Sequence, residues 1–377
     1  MGIKKVVFTG DAAFLYRYQF LLNAMSLYFE NVERIPSGNL YESKSLKTVM
    51  KFLRGITALL FPSRASIFRK KTQGFITNAQ GFITRSQQIE RKIRKLRYTP
   101  DMVFHVFSLY CPFWDKFDIP YAMYLDYTMA LAERNWSAWA AFANHQEFAA
   151  WVDCERMAYK QAYHLFPMSN LVKSSLIEDY GIKPEKITVV GSSGNFQEPY
   201  EGEKTFGSKQ ILFNGSDFER KGGDLVLAAF KQVKKALPEA KLVIIGKKLT
   251  IREDGVENPG RISSLTEMRN LFLKTDLVVA PSRCEPFQEF LLEAMNYGVP
   301  CIVSASDGMP EIIDNGVNGI VIAQPTPELL ANQIINLLCD LTALTSMSQN
   351  VRHKVKTKFN WNDIAKNISQ ALSTSLF

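Results

Sequence analysis

In the second half of the chain, short continuous apolar runs alternate with segments whose apolar residues recur every three or four positions. Residues 210–216, 241–246, 276–282, 300–306 and 319–323 are of the first kind and predict strands buried on both faces. Between them, Val226, Ala229, Phe230, Val233 and Leu237 fall on one face of a helix that Pro238 ends. Residues 265–274, 287–297 and 327–340 read as further helices. Such alternation predicts a parallel sheet covered on both faces. The first half alternates too, with longer interruptions: strands at 4–9, 101–109, 121–125, 164–169 and 187–192, and helices at 14–29, 137–162 and 170–180. A polar stretch at 197–208, with Pro199, Gly202 and Gly207, is the expected linker. The fold class expected is therefore α/β, with two Rossmann-like domains over residues 1–200 and 201–360 and a last helix from about 361 to the end.

The 377 residues are 46% hydrophobic and 22% charged, ordinary globular usage that argues against disorder or a fibrous repeat. The net charge of +8 is unevenly placed: residues 43–98 hold fourteen Lys/Arg and one acid, a local +13 that leaves −5 for the rest. Within that window Lys47, Lys51 and Arg54 share one helical face while Val49, Phe52, Ile56 and Leu60 share the other. This pattern predicts a basic amphipathic helix, fit either to lie on an anionic membrane or to pack its apolar stripe on a domain core. The pentapeptide QGFIT at 73–77 recurs at 80–84, too little for a repeat architecture. No run approaches the ~20 apolar residues of a membrane-spanning helix. The apolar run behind Lys4-Lys5 is too short for a signal-peptide core, and Val6 breaks the myristoylation pattern. Five scattered cysteines without a Cys-x-x-Cys spacing predict reduced core thiols of a cytosolic protein and no zinc site.

Two segments carry candidate chemistry. Glu285-Pro286-Phe287-Gln288-Glu289-Phe290-Leu291-Leu292-Glu293-Ala294 follows an expected strand, at the edge where open α/β sheets bind ligands. A proline opening the helix would leave the N–H groups of Phe287, Gln288 and Glu289 as donors for anions or hydroxyls. Glu293 would lie ~9 Å along that helix from Phe287, and two carboxylates at roughly that separation could hold two hydroxylated parts of one ligand. The second segment, Gly215-Ser216-Asp217-Phe218-Glu219-Arg220-Lys221-Gly222-Gly223, also follows a strand. Its adjacent cations, a planar fork and a mobile point charge, suit a diphosphate at a helix N-terminus. Each segment alone reads more readily as a capping acid with a solvated helix acid, or as an exposed basic turn.

Together and in this order, the two segments resemble the donor domain of family 4 retaining glycosyltransferases, which have the GT-B fold. The family's EPFG-x4-EA signature matches Glu285-Pro286-Phe287-Gln288 through Glu293-Ala294, with Gln288 in place of the usual glycine. Met309-Pro310-Glu311-Ile312-Ile313 and Asn315-Gly316-Val317-Asn318-Gly319 are family-like as well, and Glu219–Gly223 resembles an ERKGG subgroup. Matching stretches run from about 169 to 361; the first ~165 residues are similar only in strand order. The resemblance implies two domains facing a cleft, with the C-terminal helix crossing back to the first. It implies that Arg220 and Lys221 bind the diphosphate of a nucleotide sugar, Arg220 supplying the charge that many members carry at Ser216. Glu285 and the main chain of Phe287, Gln288 and Glu289 would hold the transferred sugar, and Glu293 the ribose. Gly215 lies in the phosphate loop. A hydroxyl acceptor, glycan or lipid-linked, would attack from the leaving-group face. The nucleotide sugar is a substrate, no cofactor is needed and no metal is implied, since the chain lacks Asp-x-Asp.

In the first half, Asp126 lies at a strand end where it could orient acceptor or sugar hydroxyls, and Gly10 lies just after the first strand, where the backbone could approach a ligand. Asp at a strand end is also an ordinary turn former. His105 reads as a satisfied core residue and His145 as an exposed helical one. The expected location is cytoplasmic, at the inner face of the plasma membrane if the basic segment makes peripheral contact there. Two other classes compete: a different sugar-nucleotide-dependent enzyme of this fold, such as an epimerase, or a non-catalytic binding member. Nucleic-acid binding through 43–98 is a distant third, because the cations lack aromatic interleaving.

Overall fold

A computed structural model describes residues 3–37 and 78–374. The chain divides into two units, Met1–Val190 with Ala365–Phe377, and Gly191–Ile364.

The first unit is built on a five-stranded parallel sheet of order β2-β1-β3-β4-β5. Its strands are β1 (Lys5–Asp11), β2 (Asn31–Ser37), β3 (Met102–Val106), β4 (Tyr121–Leu125) and β5 (His164–Pro167). β3, β4 and β5 are buried at every position, as continuous apolar runs demand. The helices are α1 (Ala12–Arg17), α2 (Gln19–Ser26), α3 (Ala79–Ile93), α4 (Met129–Asn135), α5 (His145–Gln161) and α6 (Asn170–Glu178). Asn78, Thr128, Asn144 and Ser169 cap the last four through side-chain oxygens.

The second unit has a six-stranded parallel sheet of order β11-β10-β9-β6-β7-β8. Its strands are β6 (Gln210–Asn214), β7 (Lys241–Ile245), β8 (Val256–Gly260), β9 (Leu277–Ala280), β10 (Cys301–Ser304) and β11 (Gly319–Ile322). Helices α7 (Gly223–Ala236), α8 (Leu265–Lys274), α9 (Glu289–Asn296), α10 (Met309–Ile312), α11 (Pro327–Cys339) and α12 (Leu341–Lys358) cover it. α13 (Trp361–Thr374) starts in this unit, and its residues from Ala365 onward group with the first. Val226, Ala229, Phe230 and Val233 of α7 bury the predicted stripe in one core with Ile211, Phe213, Leu242 and Ile244 of the sheet. Read from β8, this is the doubly wound order 3-2-1-4-5-6, whose direction of winding reverses between β6 and β9. Both candidate segments leave the sheet at that reversal.

The structure corrects several expectations. β2 (NVERIPS) and β8 (VENPG) were not expected, because they are sheet edges where polar residues and proline are tolerated. The helix expected over 14–29 breaks at Tyr18 into α1 and α2, and the one expected from 137 begins at His145, with α4 preceding it. Residues 187–192 form no strand; a single bridge joins Ile187 to Leu165. α9 starts at Glu289, so Pro286 and Phe287 lie ahead of the helix instead of opening it. Cys339 is exposed, unlike the other four cysteines. The expected amphipathic helix, with Lys47, Lys51 and Arg54, and the first QGFIT copy lie outside the described residues. Among the described residues no single helix is long and apolar enough to cross a membrane.

Candidate active site

The loop after β6 folds into tight turns: Lys221 N donates to Asp217 O (2.9 Å) and Gly223 N to Phe218 O (2.8 Å). Gly222 closes it with φ 75°, and a Cβ there would lie 2.3 Å from Pro281 O. Only glycine permits both that backbone and that approach. The loop thus sits directly on the segment following β9. Arg283 fastens the pair: its N–H donates to Arg220 O (2.8 Å), and its guanidinium reaches Glu219 O and both oxygens of Asp224 (2.9 and 2.6 Å).

Charges then converge on one carboxylate oxygen. Glu285 Oε2 lies 2.5 Å from Lys221 Nζ, 3.1 Å from Arg220 Nη1 and 3.4 Å from Gln288 Nε2. Glu285, Arg220 and Lys221 are 8%, 7% and 6% exposed. Arg220 also donates to Cys284 O (2.6 Å) and, through Nε, to Asp217 (2.9 Å), whose side chain is half in solvent. Burial works against the Arg220 guanidinium, yet Glu285 and Asp217 outweigh it and hold its pKa above the ordinary value. For Lys221 burial wins, and its pKa falls below the usual lysine value despite the ion pair. Two buried cations thus share one buried carboxylate, and Arg220 also pairs with the half-exposed Asp217. Two adjacent buried cations suit a strong anion.

Asp307 was missed by sequence reasoning. Its Oδ2 accepts from Glu285 N (2.6 Å), and its φ of 46° is unusual for a residue with a side chain. The Asp-Gly turn behind β10 was its only signal in the sequence. Glu289 accepts from Ser192 Oγ (3.3 Å), and the Phe287 ring packs edge-on to Phe359 (6.1 Å), so both hold the segment in place through their side chains.

Glu293, one turn into α9, lines a cavity of about 490 Å³ with Asn195, Ser216, Lys247, Arg261 and Tyr297. Its Oε1 accepts from Asn195 N (3.2 Å), and a Cβ on Gly194 would stand 2.7 Å from its Cγ. Gly215 separates two cavity-lining residues, Asn214 and Ser216, and donates to Ile245 O (2.8 Å). Lys247 and Arg261, cations in this cavity, went unread because Arg261 follows the unexpected β8.

Asp126 and Gly10 belong to the other unit. Asp126 directly follows β4 and is the partly exposed member of an otherwise buried run from Leu125 to Met129. Gly10, next to last in β1, pairs in register with Pro36 and Val106. His105 is fully buried, its Nδ1 2.7 Å from Thr9 Oγ1, and burial lowers its pKa to about 3. Its Nε2 has no hydrogen-bond partner among the described residues.

Residues 197–354 match the family model of glycosyl transferases group 1. An uncharacterized glycosyltransferase of Methanocaldococcus jannaschii is 27% identical over 237 residues, covering 56% of this chain and 60% of that protein. The chain therefore spans about three fifths of the length of that curated relative. Among solved structures, sucrose-phosphate synthase of Thermosynechococcus elongatus superimposes with a TM-score of 0.69 at 15% identity, over 97% of this chain and 98% of that one. Anabaena HepE, solved with UDP-glucose, gives 0.63 at 15% identity over 98% and 100%. The two-sheet α/β architecture is the GT-B fold of these solved glycosyltransferase structures, and residues 197–354 are similar to glycosyl transferases group 1.

Proposed function

We propose that the protein is a retaining glycosyltransferase of hexosyl type, which moves a sugar from a nucleoside-diphosphate sugar to a hydroxyl acceptor without a metal ion. The observation that carries this reading is the buried cluster at the β6/β9 reversal, in which Arg220 and Lys221 share Glu285, while Ser216 of the same loop and Glu293 of α9 line one cavity. Arg220 and Lys221 would take the diphosphate. Glu285, with the backbone at Phe287, Gln288 and Glu289, would hold the transferred sugar, and Glu293 the ribose, with Gly215 keeping the phosphate loop close. As the sugar C1–O(phosphate) bond breaks, the two cations stabilise charge building on the leaving phosphate. The acceptor oxygen bonds to C1 from the same face and its proton passes to the phosphate oxygen. Asp126 and Gly10 are the candidates for the acceptor side, Asp126 orienting hydroxyls.

The acceptor would be a glycan or a lipid-linked hydroxyl compound. Arg91, Lys92, Lys95 and Arg97 are exposed in the described part of the basic window, which supports contact with an anionic acceptor or the cytoplasmic membrane face. HepE was solved with UDP-glucose, which makes UDP-sugars the first donors to try. The test is a thermal-shift screen against UDP-, GDP- and ADP-sugars, then product analysis with the labelled donor that binds. Label on an acceptor with retained anomeric configuration is expected. Free epimerised sugar would support the epimerase reading, and binding without turnover on any acceptor a non-catalytic one.

A further inference from the structure

Gln288 stands at the N-cap of α9, yet its side chain makes no capping bond. It turns instead into the charged cluster, where it is 3% exposed and its Nε2 lies 3.4 Å from Glu285 Oε2. Only the NH2 end of an amide can donate to a carboxylate, so this contact fixes which way the amide lies. The other end, Oε1, is buried and has no hydrogen-bond partner among the described residues. A buried, unpaired amide oxygen typically costs ~1–3 kcal/mol, a burden that a ligand with a suitably placed donor removes.

The neighbours specify that donor. Arg220, Lys221 and Gln288 all approach one Glu285 oxygen, Oε2. Gln288 Oε1 therefore belongs to a cluster in which the cations are already paired to a carboxylate, and what it lacks is a neutral O–H or N–H. A phosphate offers only acceptors. A polyhydroxylated ring offers donors at several carbons.

We infer that Gln288 Oε1 accepts a hydrogen bond from a hydroxyl of the transferred sugar and so determines which sugar the enzyme carries. This rests on the nucleotide-sugar reading above and adds to it a side-chain contact to the sugar. A sugar lacking that hydroxyl, or bearing it with the opposite configuration, leaves the amide oxygen unpaired and is discriminated against on that account.

Calorimetry on the full chain tests this with UDP, GDP and ADP and with UDP-glucose, GDP-mannose and ADP-glucose, on wild type and on Gln288→Met and Gln288→Ala. Met keeps the length and removes the amide; Ala guards against a misfit of the longer side chain. The quantity read is the ratio of nucleotide Kd to nucleotide-sugar Kd for the matched pair that binds. Loss of the sugar contact lowers that ratio about tenfold in both variants, while affinity for the bare nucleotide stays within about twofold. A purely structural role moves both affinities together and overturns the inference. So does an unchanged ratio, which would mean that solvent alone satisfies the amide. If wild type binds none of the three nucleotides, the nucleotide-sugar reading itself has failed, a result distinct from either.

Discussion

Each unit buries carboxylates, and one from each, Glu285 and Glu155, are kept in opposite ways. Glu285 lies among cations. Glu155 of α5, 1% exposed, is surrounded by neutral donors: Tyr180 OH (2.5 Å), Met129 N (3.2 Å) and Ser108 Oγ (3.3 Å). Burial pushes the Glu155 carboxyl up to about 7, with those hydrogen bonds only partly opposing it. Ser108 follows β3 and Met129 opens α4 behind β4, so Glu155 joins two strand-end loops of the first unit. The difference separates two uses of a buried acid. One is a charged partner that keeps two cations in place for an anion; the other is a hydrogen-bond hub whose charge is tolerated only at neutral pH and above.

The sharpest way to break this comparison is the same substitution at both sites. Glu285→Gln leaves Arg220 and Lys221 buried without the carboxylate they share, and should lower unfolding free energy by ~3–5 kcal/mol in denaturant titration. Saturating nucleoside diphosphate should restore much of that loss, because it supplies the missing anion. Glu155→Gln at pH 7 should change stability far less. Equal losses at the two sites would remove the distinction. Lys221→Met leaves a one-to-one Arg220–Glu285 pair: stability should stay near wild type while nucleotide affinity falls about 100-fold, ~2.7 kcal/mol, in calorimetry.

The pH dependence sharpens the Glu155 side. Its folded pKa lies above the unfolded value, so between pH 4.5 and 7 the folded state holds a proton that the unfolded chain has released. Stability from this group is therefore full below about pH 4.5 and declines as pH rises to about 7. At ~1.4 kcal/mol per pH unit the decline is roughly 3 kcal/mol. Subtracting the Glu155→Gln profile from wild type isolates it; a flat difference would show that Glu155 ionises as freely as in the unfolded chain.

How well the sequence could be read follows the same line between local and distant causes. Runs such as 121–125 and 265–274 match β4 and α8 residue for residue, since burial on a sheet or one helical face is written in adjacent side chains. β2 and β8 are polar because they are edges, and edge status depends on the whole sheet order. Arg220, Lys221 and Glu285 were legible because each follows a strand end within a few residues. Asp307 and Arg283 act across loops that only the topology brings together. Glu155 resembles any polar helix residue, and nothing near it in sequence marks Ser108 or Tyr180 as its partners.

Arg283 offers the smallest effect and the finest test of how the cluster is held. It is partly exposed and paired to Asp224, so its ion pair should contribute less than ~1 kcal/mol to stability. Its backbone N–H bond to Arg220 survives any side-chain change. What Arg283→Ala removes is the guanidinium bridge from the β9 segment to Glu219 and to the start of α7. If the cluster is positioned by that bridge, nucleotide affinity should fall about three- to tenfold with little change in unfolding free energy. If Gly222 packing on Pro281 suffices, both quantities stay at wild-type values, and the Glu285 cluster is held by backbone contact alone.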